Sequence, residues 1–563
     1  FMKYKLILLF ILIFLPFSTF AANSNNKFGI HLAQPHLEDL VKVKELVNSN
    51  GGDWGYITLV IQENDRNKEK WQEIFDQLRQ YHLIPIIRLA TRPEGENWRR
   101  PEKQDAQSWV DFLDSLNWVV KNRYIILFNE PNHGSEWGGE VDEKSYAEVS
   151  FEFAKKLKEK NPDFFIMLAG FDASAPSWPP GMEDEETFLR KVFQGPSLKV
   201  DPLTRTDLKY IDGWASHSYP NPGFAGSPYA TGRGTVRTYE WELELFRSLG
   251  INKELPVFIT ETGWKRGGEE TVADNFQTAY DQIWLPDERV MAVTPFVLDY
   301  QGEPFLEFSW KKYNSQDFYQ QYYTVQSLAK LKGEPEQREK GWINYRLPTD
   351  LVVQSTYHFK IKLNNLGQAV WDKDYGYQLN QFNRSSRSDS AQFLFDDLKD
   401  INPFEEKDVY FALKTNEDLG KKKIKFILQK NDKNILESDP PAGGWSFNIL
   451  PLPALKFATN FFPWGKGKGN NYEIQIFDVD DRLVFKKKGL SVKQGIGQLK
   501  DIQNIALDEL YRVVLLKPYY LPRQNFVVFK KDNNKIKFKS LLPFDFNNDG
   551  AFNFKDIQKL LGR

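Results

Sequence analysis

The spacing of apolar positions changes repeatedly along the chain. Between Lys27 and Leu331, short near-continuous apolar runs alternate with stretches in which apolar residues recur every three or four positions. The runs read as strands buried on both faces. They are FGIHL (from Phe28), WGYITLVIQ (Trp54), LIPIIRLA (Leu83), RYIILFN (Arg123), FFIMLAG (Phe164), YIDGWASHSY (Tyr210), LPVFITETGW (Leu255) and VMAVTPFVLDY (Val290). Segments such as EKWQEIFDQLRQYH, YAEVSFEFAKKLKEK and TVRTYEWELELFRSLG carry the helical period between them. Eight strand-then-helix units over residues 27–331 predict an α/β fold, a (β/α)8 TIM barrel. An open doubly wound sheet is the rival, but no glycine-rich turn follows the first strand.

A charged, helix-breaking stretch, KLKGEPEQREKG, ends this region, with the linker assigned to residues 332–342. Beyond it TYHFKIKLNN, VYFALKT and KIKFILQK alternate apolar with polar residues, which predicts an antiparallel immunoglobulin-like β-sandwich over 343–440. The phrase NNLGQAVW, Asn364–Trp371, resembles the Asn-x-Gly-x-x-x-Trp turn of such modules. After the break ESDPPAGG, a second small all-β module is expected over 445–540, followed by a separate segment, 541–563.

Composition narrows the function classes. Lys plus Arg (74) nearly balances Asp plus Glu (76), so the chain has no global basic field and no nucleic-acid partner is expected. With no cysteine, disulfides, thiolate nucleophiles and Cys-ligated zinc are excluded. The start, MKYK followed by LILLFILIFLPFSTF and a small-x-small exit near Ala21, predicts a signal peptide over residues 1–22 and a secreted or cell-surface protein. Its apolar run is shorter than the roughly 20 residues that span a bilayer.

DFNNDGAFNFKD, Asp545–Asp556, places Asp545, Asn547, Asp549, Asn553 and Asp556 at loop positions 1, 3, 5, 9 and 12, with Gly550 at the turn and the Ala551 carbonyl at position 7. That is an EF-hand calcium pattern with Asp in place of the usual terminal Glu. It resembles one repeat of a dockerin, which implies bound Ca2+ and, through the C-terminal modules, a cohesin-like or cell-surface partner. A dockerin normally has two repeats, and one is found here.

A barrel places its chemistry at the C-terminal strand ends. The fourth strand ends in Asn129-Glu130-Pro131 and the seventh in Glu261 before Thr262 and Gly263; the sixth offers His217 and Tyr219, and the third Arg88. No Gly-x-Ser-x-Gly elbow and no His-Glu-x-x-His helix is present. His31 and His133 have no spacing that marks a metal ligand. Paired carboxyls facing across a cleft are what glycosidic cleavage requires. NEP after strand four with ETGW after strand seven resembles the clan A retaining glycoside hydrolases, the superfamily of many cellulases, mannanases and xylosidases.

The resemblance implies a β-glycan substrate, Glu130 as acid/base, Glu261 as nucleophile and no cofactor for catalysis. It further implies that Asn129 bonds the sugar 2-hydroxyl, that Tyr219 and Arg88 support the nucleophile, and that His217 orients Tyr219 or the acid/base. Trp310, in FLEFSW after strand eight, resembles the aromatic platform under the reactive sugar, and Trp264 is a second candidate for substrate contact. Transglycosylation at the same site, or a non-catalytic glycan-binding scaffold, are the alternatives this reading leaves.

Overall fold

The computed structural model describes residues 25–194, 208–383, 391–437 and 444–561, so the leader expected over 1–22 lies outside the described residues. Two compact units divide between Arg338 and Glu339.

In the first unit all eight apolar runs contain strands: β1 Gly29–Leu32, β2 Gly55–Gln62, β3 Leu83–Ala90, β4 Arg123–Leu127, β5 Phe164–Leu168, β6 Trp214–His217, β7 Val257–Glu261 and β8 Val290–Val293. β1 to β5 form one parallel sheet in sequence order, and β6 to β8 a second. Parallel bridges Met167–Gly213 and Phe28–Val293 join the sheets at both edges, so the eight strands run in a closed ring. The N-terminal end of the ring is plugged by Tyr56, Tyr124, Phe165 and Phe258, whose rings interlock at centroid distances of 5.0–6.2 Å. Arg88, Asn129, Glu130, Tyr219 and Glu261 gather at the C-terminal end.

Helices cover the ring with one apolar stripe each. In Lys68–Gln80, Trp71, Ile74, Phe75 and Leu78 are buried, the i, i+3, i+4, i+7 pattern of a helix lying on a sheet. Asn67 starts this helix by accepting the Lys70 backbone N–H at 2.8 Å, and Asp142 does the same for Glu143–Lys160 through Ser145 at 2.9 Å. The charged stretch after Lys330 runs as a strap along the same unit. Gly333 N–H donates to Asp53 O (2.9 Å), Lys121 N–H to Glu336 O (2.8 Å), and the Gln337 amide to Val119 O (2.9 Å).

The second unit is built mainly of β-strands. A four-stranded and a five-stranded sheet enclose a core that includes Trp371, Phe411, Phe426 and Trp445, and an eight-stranded sheet over Leu455–Asp545 has its own core. Pairing is mostly antiparallel. Asp350–Val352 runs parallel to Trp445–Leu450, however, and Leu455–Ala458 parallel to Asn534–Lys537, partners too distant in sequence for hairpins to set their direction. Asn365 and Trp371 of NNLGQAVW are structural: Asn365 donates to Ala369 O and Ile401 O, and the Trp371 indole donates to Glu339.

Behind β6, Glu185 and Glu242 face each other fully buried. Burial and mutual repulsion push the Glu185 carboxyl well above the usual range, and burial pushes Glu242 up as well. Such a pair is comfortable only while it holds a proton. Its stability contribution is complete below the ordinary carboxyl value and is lost as pH rises from there through the raised value. The thermal midpoint is thus expected to fall toward alkaline pH, and Glu185→Gln to flatten that fall and stabilise the protein by on the order of 1–3 kcal/mol at pH 8. Calorimetric melts from pH 5 to 9 measure this; an unchanged slope in the variant would show that the pair does not titrate.

Candidate active site

Glu130 and Glu261 reach the same place by different local routes. After β4 the backbone turns sharply, with Phe128 at φ +73° and Glu130 at φ +29°, a region non-glycine residues seldom occupy. The turn is held by packing and hydrogen bonds. The Phe128 ring lies against Trp137 and Phe153 at 5.4 and 5.2 Å, Glu130 N–H donates to Gly170 O at 3.1 Å, and His133 N–H donates back to Glu130 O at 2.8 Å. Glu261, by contrast, is the last residue of β7 and lies opposite His217 of β6 across a bulge. The two glutamates and His217 converge: one carboxylate oxygen of each and a His217 ring nitrogen all lie within 4.8 Å of one another.

Their surroundings differ. Glu261 Oε1 accepts from Arg88 Nη1 at 2.6 Å and Oε2 from the Tyr219 hydroxyl at 3.0 Å, with His217 Nδ1 at 3.8 Å and His31 Nε2 at 4.0 Å. Burial alone would raise this carboxyl, but the charges of His217 and Arg88 and the Tyr219 bond outweigh it and hold Glu261 well below the usual carboxylate range. Glu130 is more open to the cavity and pairs with His217 Nδ1 at 2.8 Å. Burial opposes a proton on His217, yet the two glutamates together raise its pKa. Behind them, burial and Arg88 push His31 down to about 3, so it is a neutral packing partner. Arg88 also donates to Asn129 Oδ1 at 2.5 Å, tying the Asn129 amide to the Glu261 carboxylate. Gly170 is dictated by this cluster, because a Cβ there would come within 2.1 Å of the His217 ring.

These groups line a cavity of about 350 Å3 at the open end of the ring, in the size range of small-ligand sites. Arg88, Asn129, Glu130, Tyr219 and Glu261 are on its wall, and His217 lies directly behind it. The two expected tryptophans are elsewhere. Trp310 is 1% exposed and packs on Phe276 at 5.0 Å; Trp264 is 4% exposed, packs on the same ring and donates its indole N–H to Gly226 O. The loop after β8 accounts for the difference. Trp310 N–H bonds to Val297 O, which draws the indole into the core, while Phe296, Phe305 and Phe308, with Phe224 and Trp98, form the aromatic wall instead.

Three polar residues that sequence spacing did not mark also face the cavity. His133 Nε2 pairs with Asp172 Oδ2 at 2.9 Å, and Glu136 sits in the turn just after the Glu130 loop. Burial, followed by the charge of Glu130, raises Glu136 to about 7.

The C-terminal loop is a second candidate site. It turns at Gly550 (φ +86°), whose N–H donates to Asp545 Oδ2 at 3.2 Å. Asp556 accepts from the backbone of Asn547 (3.2 Å) and Asn553 (2.8 Å), and Asn553 caps helix Phe554–Leu560 through Lys555 N–H. Asp549 accepts from Ala551 N–H (3.0 Å) and the Asn547 amide (2.8 Å). Asp545 Oδ1 is buried and has no hydrogen-bond partner.

No protein-family model matches this chain, and no curated protein matches it. Among solved structures it is similar to a family 39 glycoside hydrolase from Bacteroides cellulosilyticus, at 13% identity over 69% of this chain and 81% of that one, TM-score 0.36. A monomeric β-xylosidase from Caulobacter crescentus is similar at 12% identity, covering 88% and 97% of the two chains, TM-score 0.38. An endo-β-1,4-mannanase from Thermotoga petrophila is similar at 9% identity, covering 76% and 99%, TM-score 0.32.

Proposed function

We propose that the first unit is a (β/α)8-barrel glycoside hydrolase that cleaves β-linked glycans with retention, by double displacement between Glu130 and Glu261. The observation that carries this reading is the approach of the two carboxyls to within 4.8 Å in contrasting surroundings. Retention requires about 5–5.5 Å between the carboxyls, whereas inversion needs about 6.5–9.5 Å to admit a water. Glu261, ionised and aligned by Arg88 and Tyr219, attacks the anomeric carbon as the glycosidic C–O bond breaks, and Glu130 gives its proton to the leaving oxygen. In the second half Glu130 takes a proton from water, which attacks the same carbon and frees Glu261. The leader pattern in the sequence supports export, so the glycan would be met outside the cell.

For the C-terminal loop we propose structural Ca2+, held by Asp545, Asn547, Asp549, the Ala551 carbonyl, Asn553 and Asp556. The unpartnered, buried Asp545 Oδ1 supports it, since a carboxylate oxygen without a donor is costly unless a cation faces it.

With 4-nitrophenyl and 2,4-dinitrophenyl β-glucosides, xylosides, mannosides and galactosides, Glu261→Ala is expected to abolish turnover, and azide to restore it. Glu130→Gln should lose about 10²–10⁴-fold on the poorer leaving group and far less on the dinitrophenyl glycoside, which needs no acid. Proton NMR of the first-formed product anomer decides the stereochemistry, and an inverted product would sink the mechanism. Calorimetric titration of chelator-stripped protein should show one Ca2+ per chain, lost in Asp545→Ala; no heat at millimolar Ca2+ would refute the loop assignment.

A further inference from the structure

The loop after β5 folds back on the loop that carries Glu130 as a short antiparallel ladder. Met182 is its centre, bridged to His133 on one side and to Trp178 on the other. Glu183 N–H donates to Asn132 O at 2.9 Å and Gly134 N–H to Gly181 O at 2.7 Å, while Trp178 and Met182 exchange both backbone bonds, at 2.9 and 3.1 Å. Gly134 allows this approach, since a Cβ there would come within 2.8 Å of Pro180 O. Val141 N–H ties the tip down by donating to the same carbonyl at 3.0 Å.

Residues that pair across such a ladder put their side chains on one face, and their chain neighbours point to the other. The inward face holds Asn132 and Glu183, both buried, and Glu183 accepts from Ser177 Oγ and Lys191 Nζ, each at 2.7 Å. The opposite face holds His133, Met182 and Trp178. His133 is on the cavity wall, Met182 is half-buried and Trp178 is 73% exposed. The three form a stripe that starts in the cavity and runs out across its rim. A firmly held backbone thus presents an indole to solvent, where little of its apolar area is buried by the fold.

We propose that Trp178 is a specificity-determining residue of this site, the stacking platform for a sugar outside the cavity, which selects chains of several β-linked sugars over short glycosides. The proposal takes its substrate class from the glycosidase reading. Paired Cα atoms in an antiparallel ladder lie about 4.5–5.5 Å apart, so Trp178 stands about 10 Å from His133, roughly the length of two linked pyranoses. A β-linked pyranose with equatorial hydroxyls presents C–H groups on its faces and O–H groups at its edge. An indole covers the first and leaves the second in water. A glycoside short enough to lie inside the cavity leaves Trp178 uncovered, whereas a chain that runs out past His133 and Met182 reaches it.

Cellopentaose, mannopentaose, xylopentaose and β-1,4-galactopentaose, each beside its disaccharide, test this. In the series turned over fastest, the wild type should favour the pentasaccharide over the matching 4-nitrophenyl monoglycoside, and Trp178→Ala should lower that ratio of kcat/KM about tenfold. Trp178→Tyr, which keeps a flat ring, should restore most of it. A binding arm needs no turnover: calorimetry on Glu261→Ala should find the pentasaccharide bound more tightly than the disaccharide, and adding Trp178→Ala should weaken the pentasaccharide about tenfold. A ratio unmoved by Trp178→Ala, or a pentasaccharide bound no more tightly than its disaccharide in every series, would overturn the proposal. If no glycoside is turned over while pentasaccharide binding still depends on Trp178, the glycosidase reading fails and the platform stands.

Discussion

An ionised carboxylate with little exposure to solvent is the constraint around which this site is organised. Taking such an ion out of water costs several kcal/mol, repaid only when charged and hydrogen-bonding partners meet it with good geometry. Glu261 has both: a guanidinium contact at 2.6 Å, a phenol at 3.0 Å and a raised-pKa imidazole at 3.8 Å. Arg88 is the member that a lysine would not replace, because its planar guanidinium bonds Glu261 and Asn129 together. Remove that cation, and Glu261 either takes up a proton or pulls water into the cavity.

The ring makes this concentration of charge affordable by filling itself from the other end. Tyr56, Tyr124, Phe165 and Phe258 occupy the N-terminal half of the interior, so strand ends at the C-terminal half are the place where polar groups can converge. Two strained backbone positions lie at the same end. Phe128 and Glu130 sit at positive φ, each at a cost of about 1–3 kcal/mol, and buried aromatic contacts with bonds to Gly170 and His133 hold them there. Gly170 serves the site in a second way, since only a residue without Cβ lets the His217 ring approach the two glutamates.

What sequence could and could not show follows from the range of each interaction. The strands were legible because burial on both faces writes a continuous apolar run, although β4 stops at Leu127, before the Asn129-Glu130-Pro131 end that Pro131 led us to expect. Glu130, Glu261, His217, Tyr219 and Arg88 were legible because strand ends are the predictable part of such a ring. Trp310 and Trp264 were not, since an indole on a core face and one on a cavity wall give the same local pattern; the path of the loop after β8 decides between them. Glu136, His133 and Asp172 lie on irregular loops with no period to read, and only their tertiary partners bring them to the cavity. The parallel pairings in the second unit were hidden for a related reason, because alternation fixes which face a residue occupies and not which distant strand lies beside it.

His217 gives the proposed two-step chemistry a physical link between its halves. Its proton is opposed by burial and retained through attraction to Glu261 and Glu130 together. When Glu261 becomes an ester in the covalent intermediate its negative charge is gone, and with it the larger electrostatic reason for His217 to stay charged. Glu130, having given up its proton, is then the remaining anion beside the imidazole, 2.8 Å from Nδ1. The imidazolium now neutralises the group that must act as base, whereas in the free protein it was shared with the nucleophile. On the proposed double-displacement reading, the imidazole would thus stand beside Glu261 before the covalent step and beside Glu130 as the remaining anion after it.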